Sequence, residues 1–87
     1  MNLKVSTKSN VRKVAGAIVS ILSEGKDVFL DVIGAGALNQ AIKAVAVARS
    51  FTITSGTDLL ISPSFSNVDI ESDNVTGLTL KIVKVEG

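Results

Sequence analysis

The chain of 87 residues contains no cysteine, no histidine, no tryptophan and no tyrosine, and it has a single proline. Without thiols there is no disulfide, no thiolate metal site and no cysteine nucleophile. Without histidine, the side chain best suited to proton transfer near neutrality is missing. A catalyst would have to work with carboxylates, lysine or serine alone, and no serine has an evident base. Aromatic stacking would fall to Phe29, Phe51 or Phe65, which are expected to be mostly buried. Small secreted domains usually depend on disulfides, so the lack of cysteine favours the cytoplasm. The start, Met1-Asn2-Leu3-Lys4-Val5, lacks the charged opening and apolar run of a signal peptide. The longest weakly polar run, Ala41 to Ala48, contains Lys43 and is too short for a bilayer core of about 30 Å. No membrane partner is expected.

What is present is a compact-domain composition. Ala, Val, Ile, Leu and the few Phe make up most of a 46% hydrophobic content, which marks a folded domain rather than a disordered segment. The length suits one domain over residues 1–87, with a thin but sufficient core. Net charge is only +1, unevenly spread: seven basic against three acidic groups in residues 1–50, and two against five in residues 51–87. Such an asymmetry can orient a domain on a polyanion.

The order of elements follows from periodicity. Leu3 to Ser6 alternates with a period of two and predicts a short strand. Thr7-Lys8-Ser9-Asn10 is a polar turn in which Ser9 or Asn10 can cap a helix. Val11, Val14, Ala15, Ile18, Ile21 and Leu22 form one apolar stripe of about four turns, followed by Gly25 as a helix stop. Asp27 to Ile33 reads as a second strand. Gly34-Ala35-Gly36 is a tight loop, and a second helix follows from about Ala37 to Ser50. There Arg49 falls on the apolar stripe but in the last turn, where its head reaches solvent. Thr54 to Thr57 is a turn. Asp58 to Ser62 begins a third strand, which Pro63 restricts to an edge or a bulge. Val68 and Ile70 extend it, Ser72-Asp73-Asn74 is the hairpin tip, and Leu78, Leu80 and Ile82 alternate in the last strand.

The fold class is therefore α/β in the broad sense, an α+β two-layer sandwich of order β-α-β-α-β-β, with two helices on a four-stranded mixed sheet. The first two strands are parallel neighbours joined by a right-handed crossover, and the last two form an antiparallel hairpin. With both helices on one face, Phe29, Ile33, Val83 and Val85 fall on the other, which suggests a contact between copies, a homodimer or a higher homo-oligomer.

Several groups are candidates for chemistry. Gly34, Gly36 and Asn39 partly mimic a dinucleotide fingerprint. Asn39, however, stands where the third glycine belongs, and the chain has no room for a doubly wound sheet, so no cofactor is expected. The glycines let the backbone turn sharply and pack closely, or approach an anion. Lys8, Arg12 and Lys13 cluster at the start of the first helix, where positive charge is slightly unfavourable. A phosphate-backbone contact is one use for them, and a solvated helix end is the other. Lys43, on the outward side of the second helix with Asn39 and Gln40, shares a sheet end with Lys8 if the first two strands are parallel. Asp69, Glu71 and Asp73 suit a solvated tip better than a metal site. No metal, no catalytic residue and no small-molecule substrate is expected.

The run Val32-Ile33-Gly34-Ala35-Gly36-Ala37-Leu38-Asn39-Gln40-Ala41-Ile42-Lys43-Ala44-Val45-Ala46-Val47-Ala48-Arg49 resembles the signature of the stage V sporulation protein S family. Leu3-Lys4-Val5-Ser6-Thr7-Lys8-Ser9 and Val14-Ala15-Gly16-Ala17 fit it too, whereas the residues after Pro63 match loosely. The resemblance implies a small cytoplasmic bacterial protein linked to sporulation and division septum formation. It also implies an Alba-like fold, usually dimeric. Alba-like proteins bind DNA and RNA through a lysine-bearing turn before the first helix and a basic loop before the second. Lys8 matches the first feature and Lys43 resembles a basic position on the second helix. The second loop departs, because Gly34-Ala35-Gly36 stands where arginines are often found.

The resemblance and the charge pattern together point to a non-enzymatic, nucleic-acid-binding homodimer. Lys8, Arg12, Lys13 and Lys43 would neutralise phosphates, and the Gly34-to-Asn39 turn would approach the backbone with little base specificity. The rival is a protein-interaction module in sporulation or septum assembly, working through the apolar sheet face and the edge strand near Pro63.

Overall fold

The computed structural model describes residues 1–66 and 77–86. The elements are β1 (Asn2–Val5), α1 (Val11–Ser23), β2 (Val28–Ile33), α2 (Ala35–Thr52), a 3-10 turn (Ile53–Ser55), β3 (Thr57–Phe65) and β4 (Gly77–Glu86). They follow the predicted order. The four strands make one sheet with spatial order β1-β2-β4-β3. β1 runs parallel to β2, with Leu3 opposite Leu30 and Val5 opposite Val32. β4 is antiparallel to both β2 and β3. The expected continuation of β3 through Val68 and Ile70, the tip at Ser72-Asp73-Asn74 and the carboxylates Asp69, Glu71 and Asp73 lie outside the described residues.

Side-chain alternation assigns the two faces. Val5, Val28, Leu30, Val32, Leu59, Leu80 and Ile82 are buried beneath the helices. From α1 they meet Ala15, Ile18, Ile21 and Leu22, and from α2 the small residues Ala37, Ala41, Ala44 and Ala48 with Val45. The alanines matter for geometry. A helix whose buried stripe is mostly methyl groups lies close to the sheet and to its neighbouring helix, which fixes the relative height of α1 and α2.

Both ends of α2 differ from the sequence expectation, each for a local reason, whereas the start of α1 takes one of its two expected caps. α1 is capped by Asn10, whose side-chain oxygen accepts from the Lys13 N–H at 3.0 Å. Ser9 instead closes the preceding turn, its hydroxyl accepting from the Ser6 N–H at 2.9 Å. α2 begins at Ala35 rather than Ala37, because Gly34 itself takes the cap position at φ 85°, ψ 163°. That conformation is open almost only to glycine. So Ala35 and Gly36 are helical residues, not a loop. At the far end α2 runs to Thr52 and passes into the 3-10 turn, which Gly56 closes. Pro63 sits on β3, and β3 is an edge strand, as the missing donor requires.

The last turn of α2 is tied to β3. The Arg49 guanidinium donates to both carboxylate oxygens of Asp58, so its head is paired rather than free. The hydrogen bond from Arg49 holds the Asp58 carboxyl below the usual carboxylate range, helped by the Leu59 N–H, and the same pairing raises Arg49. A carboxyl with a depressed folded pKa adds stability above its unfolded value, about 3.9, and loses it as pH falls through the folded value. Thermal melting of the wild type should therefore decline more between about pH 5 and pH 2 than melting of Asp58→Asn. The difference should be small, because the pair is exposed. Identical acid profiles would remove this role from the pair.

Candidate nucleic-acid interface

The carboxyl ends of β1 and β2 lie side by side because the strands are parallel. Each is followed by the start of a helix, so the amino ends of α1 and α2 share one end of the molecule. Two contacts lock them together there. A Cβ built on Gly36 would stand 2.5 Å from the Thr7 Cγ2, a separation that real side chains do not adopt. A Cβ there would have to displace that methyl, so glycine lets the exposed Thr7 side chain lie against the start of α2 in this rotamer. One turn further along α2, the Gln40 side chain donates to the Ser9 carbonyl at 3.0 Å, partly buried.

Those contacts orient a whole helix face. Gly36, Asn39, Gln40 and Lys43 have the spacing i, i+3, i+4, i+7, which places them on one stripe of α2. Gly36 touches Thr7 and Gln40 touches Ser9, so this stripe addresses the turn that carries Lys8. Lys43 follows Gln40 by one helical turn on the same side. Val19 of α1 and Phe51 of α2 line a common cleft, so the Val19 side of α1 faces α2. Arg12, seven residues before Val19, lies on that side too. Lys13 stands one position further round, away from α2. By helical spacing and these two contacts, Lys8, Arg12, Gly36 and Asn39 fall at the end of the molecule where both helices begin, and Lys43 stands two turns beyond Gly36, near the middle of α2. Lys13 flanks them, and Gly34 is set back at the strand end.

Lys8, Arg12, Lys13, Asn39 and Lys43 are all exposed. Among the described residues none of the four cations is ion-paired; the pairs found are Lys26 with Glu24 at 3.3 Å and Arg49 with Asp58. The carboxylates Glu24, Asp27, Asp58 and Glu86 belong to the opposite ends of the elements, and Asp31 to the outer sheet face. The described acid that reaches this end is Asp31, which lines a cleft with Thr7 and accepts from Asn2 and Thr79; the cations outnumber it, the arrangement that attracts phosphate. Among the described residues no cluster of three or more acidic side chains could hold a metal ion. No described helix is long and apolar enough to cross a membrane.

Gln40 is the residue that sequence reasoning placed on the outer face without a task. Its signal was its position one turn after Gly36, but its acceptor, the Ser9 carbonyl, depends on the close approach of the turn. Asp58, which falls where a dinucleotide fingerprint has its acidic residue, is occupied by Arg49 at the other end of the sheet.

A family model described as Stage V sporulation protein S (SpoVS) matches residues 1–85. Among solved structures, Alba from Thermoplasma volcanium is similar, with a TM-score of 0.63 and 13% identity, over 94% of this chain and 98% of that one. At that identity the likeness concerns the fold: both are Alba-like.

If Gln40 holds the turn, Gln40→Ala should cost about 0.5–1.5 kcal/mol in denaturant unfolding. It should also speed amide exchange at Lys8 and Ser9 while leaving the sheet amides unchanged. Unaltered exchange in the turn would show that the bond positions nothing.

Proposed function

The chain belongs to the stage V sporulation protein S family, and from that footing we propose that it is a non-enzymatic cytoplasmic regulatory protein that binds nucleic acid through its basic end. What supports this reading is that Lys8, Arg12 and Lys43 carry no ion pair among the described residues, on the side of the molecule where the β1–α1 turn packs onto the start of α2. Lys13 extends the charged surface along α1. Exposed lysines on a rigid base suit phosphate contacts, which set affinity and register but carry no base information. Asn39, on the same stripe, adds an amide at the rim. Gly34 and Gly36 keep the strand-to-helix junction free of side chains, so that a phosphate backbone can approach it. Little sequence specificity is expected.

The protein works on this reading as a single domain that pairs into a homodimer, with no cofactor and no small-molecule substrate. The outer sheet face was expected to offer Phe29, Ile33, Val83 and Val85 for the contact. That face is mixed, because Asn2, Lys4, Asp31, Thr79 and Lys81 share it with them by register. Apolar exposure is richer on the outermost strand pair: on the outer face Leu60 is 53% and Val85 41% exposed, and Phe65, on the helix side, is 78% exposed. We place the contact between copies there. It doubles the number of basic ends per particle, and avidity then strengthens binding without new contacts.

A protein-interaction module in sporulation or septum assembly remains the second reading, favoured by the same exposed Phe65 and Leu60 beside Pro63 on the edge strand.

Titration of labelled duplex DNA and RNA at two salt concentrations separates the two. Each phosphate contact contributes about 0.9 to the log–log salt slope on duplex DNA. The Lys8→Ala/Lys43→Ala variant should lower that slope by about 1.8 per protomer and weaken binding evenly across sequences. An unchanged slope and affinity would transfer the function to the apolar strand pair.

A further inference from the structure

The outer face of the sheet carries a second array that the basic end does not use. Phe29 lies on β2, inside the sheet, with Asn2 of β1 on one side and Lys81 of β4 on the other. Its ring is partly exposed, and the Lys81 Nζ stands 6.0 Å from its centroid. In the next row Lys4 of β1 stands beside Asp31, and Asp31 beside Thr79. The Asp31 carboxylate accepts from the Asn2 amide at 3.0 Å and from the Thr79 hydroxyl at 2.7 Å, which fixes the row in place. Two lysines against one carboxylate leave the neighbourhood of the ring net positive.

This face is continuous with the basic end. A cleft of about 340 Å³ opens at the carboxyl ends of β1 and β2, lined by Lys4, Ser6, Thr7, Asp31 and Ile33 among others. Lys4 and Asp31 belong to the sheet face, and Thr7 belongs to the turn that carries Lys8. A partly exposed ring on a sheet, flanked by lysines and joined by an open cleft to the turn that carries Lys8, has the chemistry of a single-strand platform. Bases stack on the ring while cations follow the phosphates. A duplex, whose bases are already stacked on one another, gains nothing from the ring.

We infer that a single-stranded nucleic acid runs from the Lys8 turn across the cleft onto the sheet face, where one base stacks on Phe29 between Lys4 and Lys81. The inference takes its ligand class from the reading above but rests on different residues, so the two can fail separately. From Asn2 to Val5 the track along β1 is about 10 Å long, so it spans a few nucleotides at most. Lys81, now over the ring, moves toward the phosphate when a base takes its place.

The test compares wild type, Phe29→Leu and Phe29→Tyr for binding to short oligouridylate and to a duplex, with amide spectra confirming that each variant is folded. Phe29→Leu should weaken single-strand binding about five- to a hundredfold and leave duplex binding unchanged, and Phe29→Tyr should retain both. In wild-type protein the oligonucleotide should shift the Phe29 ring resonances, a readout independent of any variant. Equal single-strand affinity of Phe29→Leu and wild type, or resonance shifts confined to residues 6–13 and the start of α2, would overturn the inference while leaving the basic end intact. Duplex binding without single-strand binding would do the same. If Phe29→Leu instead dissociated an oligomer with single-strand binding unaltered, the face would be an interface between copies and the inference would fall. Loss of all nucleic-acid binding in wild type would overturn this and the preceding reading together.

Discussion

The approach of Thr7 to the backbone of Gly36 governs how the rest of the functional end is arranged. Thr7 and Gly36 are both exposed, so the methyl-sized vacancy at Gly36 is a surface register mark for the side chain that lies against it. Here the mark is read by the β1–α1 turn. Once Thr7 sits over Gly36, Ser9 comes within reach of Gln40, and Lys8 is carried to the side of α2 where Lys43 emerges. The alanine stripe of α2 supports the same geometry from beneath, since Ala37, Ala41, Ala44 and Ala48 bring the helix down onto the sheet and against α1. The β1–α1 turn and the two helices that carry the cations are thus set by packing and by the Gln40–Ser9 hydrogen bond rather than by any attraction among the charges.

That origin explains why the end tolerates its own charge. Cations at a helix start are slightly unfavourable with the dipole, and like charges on one surface repel. The hydrogen bonds of Asn10, Ser6 and Ser9 hold the turn regardless of those charges. Among the described residues the charge is polarised as a result, with Glu24, Asp27, Asp58 and Glu86 toward the other end and partly matched by Lys26 and Arg49. A polarised particle of low net charge is oriented by a polyanion without being bound to it indiscriminately.

The element order, the edge placement of β3 and the two faces of the sheet were legible in the sequence, because periods of two and of 3.6 mark strands and helices directly. So were the common end at which both helices begin, given parallel β1 and β2, and the value of glycine for close packing. The division of labour between the two glycines was not. Gly34 is needed for its own backbone angles and Gly36 for its neighbour's methyl group, and nothing in the letters distinguishes the two cases. The same holds for Gln40 and for the pairing of Arg49 with Asp58. These contacts link residues 31 and nine positions apart, at distances set by packing that local periodicity does not encode.

A double-mutant cycle on Gly36 and Thr7 tests the central claim most directly. Alanine is intrinsically the better helix residue, by about 1 kcal/mol in a helix interior and by less in the first turn where Gly36 stands, so a negative effect of Gly36→Ala must come from its surroundings. The account predicts that Gly36→Ala lowers both stability and nucleic-acid affinity in the wild type. It also predicts that the same change becomes neutral or stabilising in a Thr7→Ser background, where the opposing methyl is gone. Additive effects of the two substitutions, or a Gly36→Ala protein as stable and as tightly binding as the wild type, would contradict it.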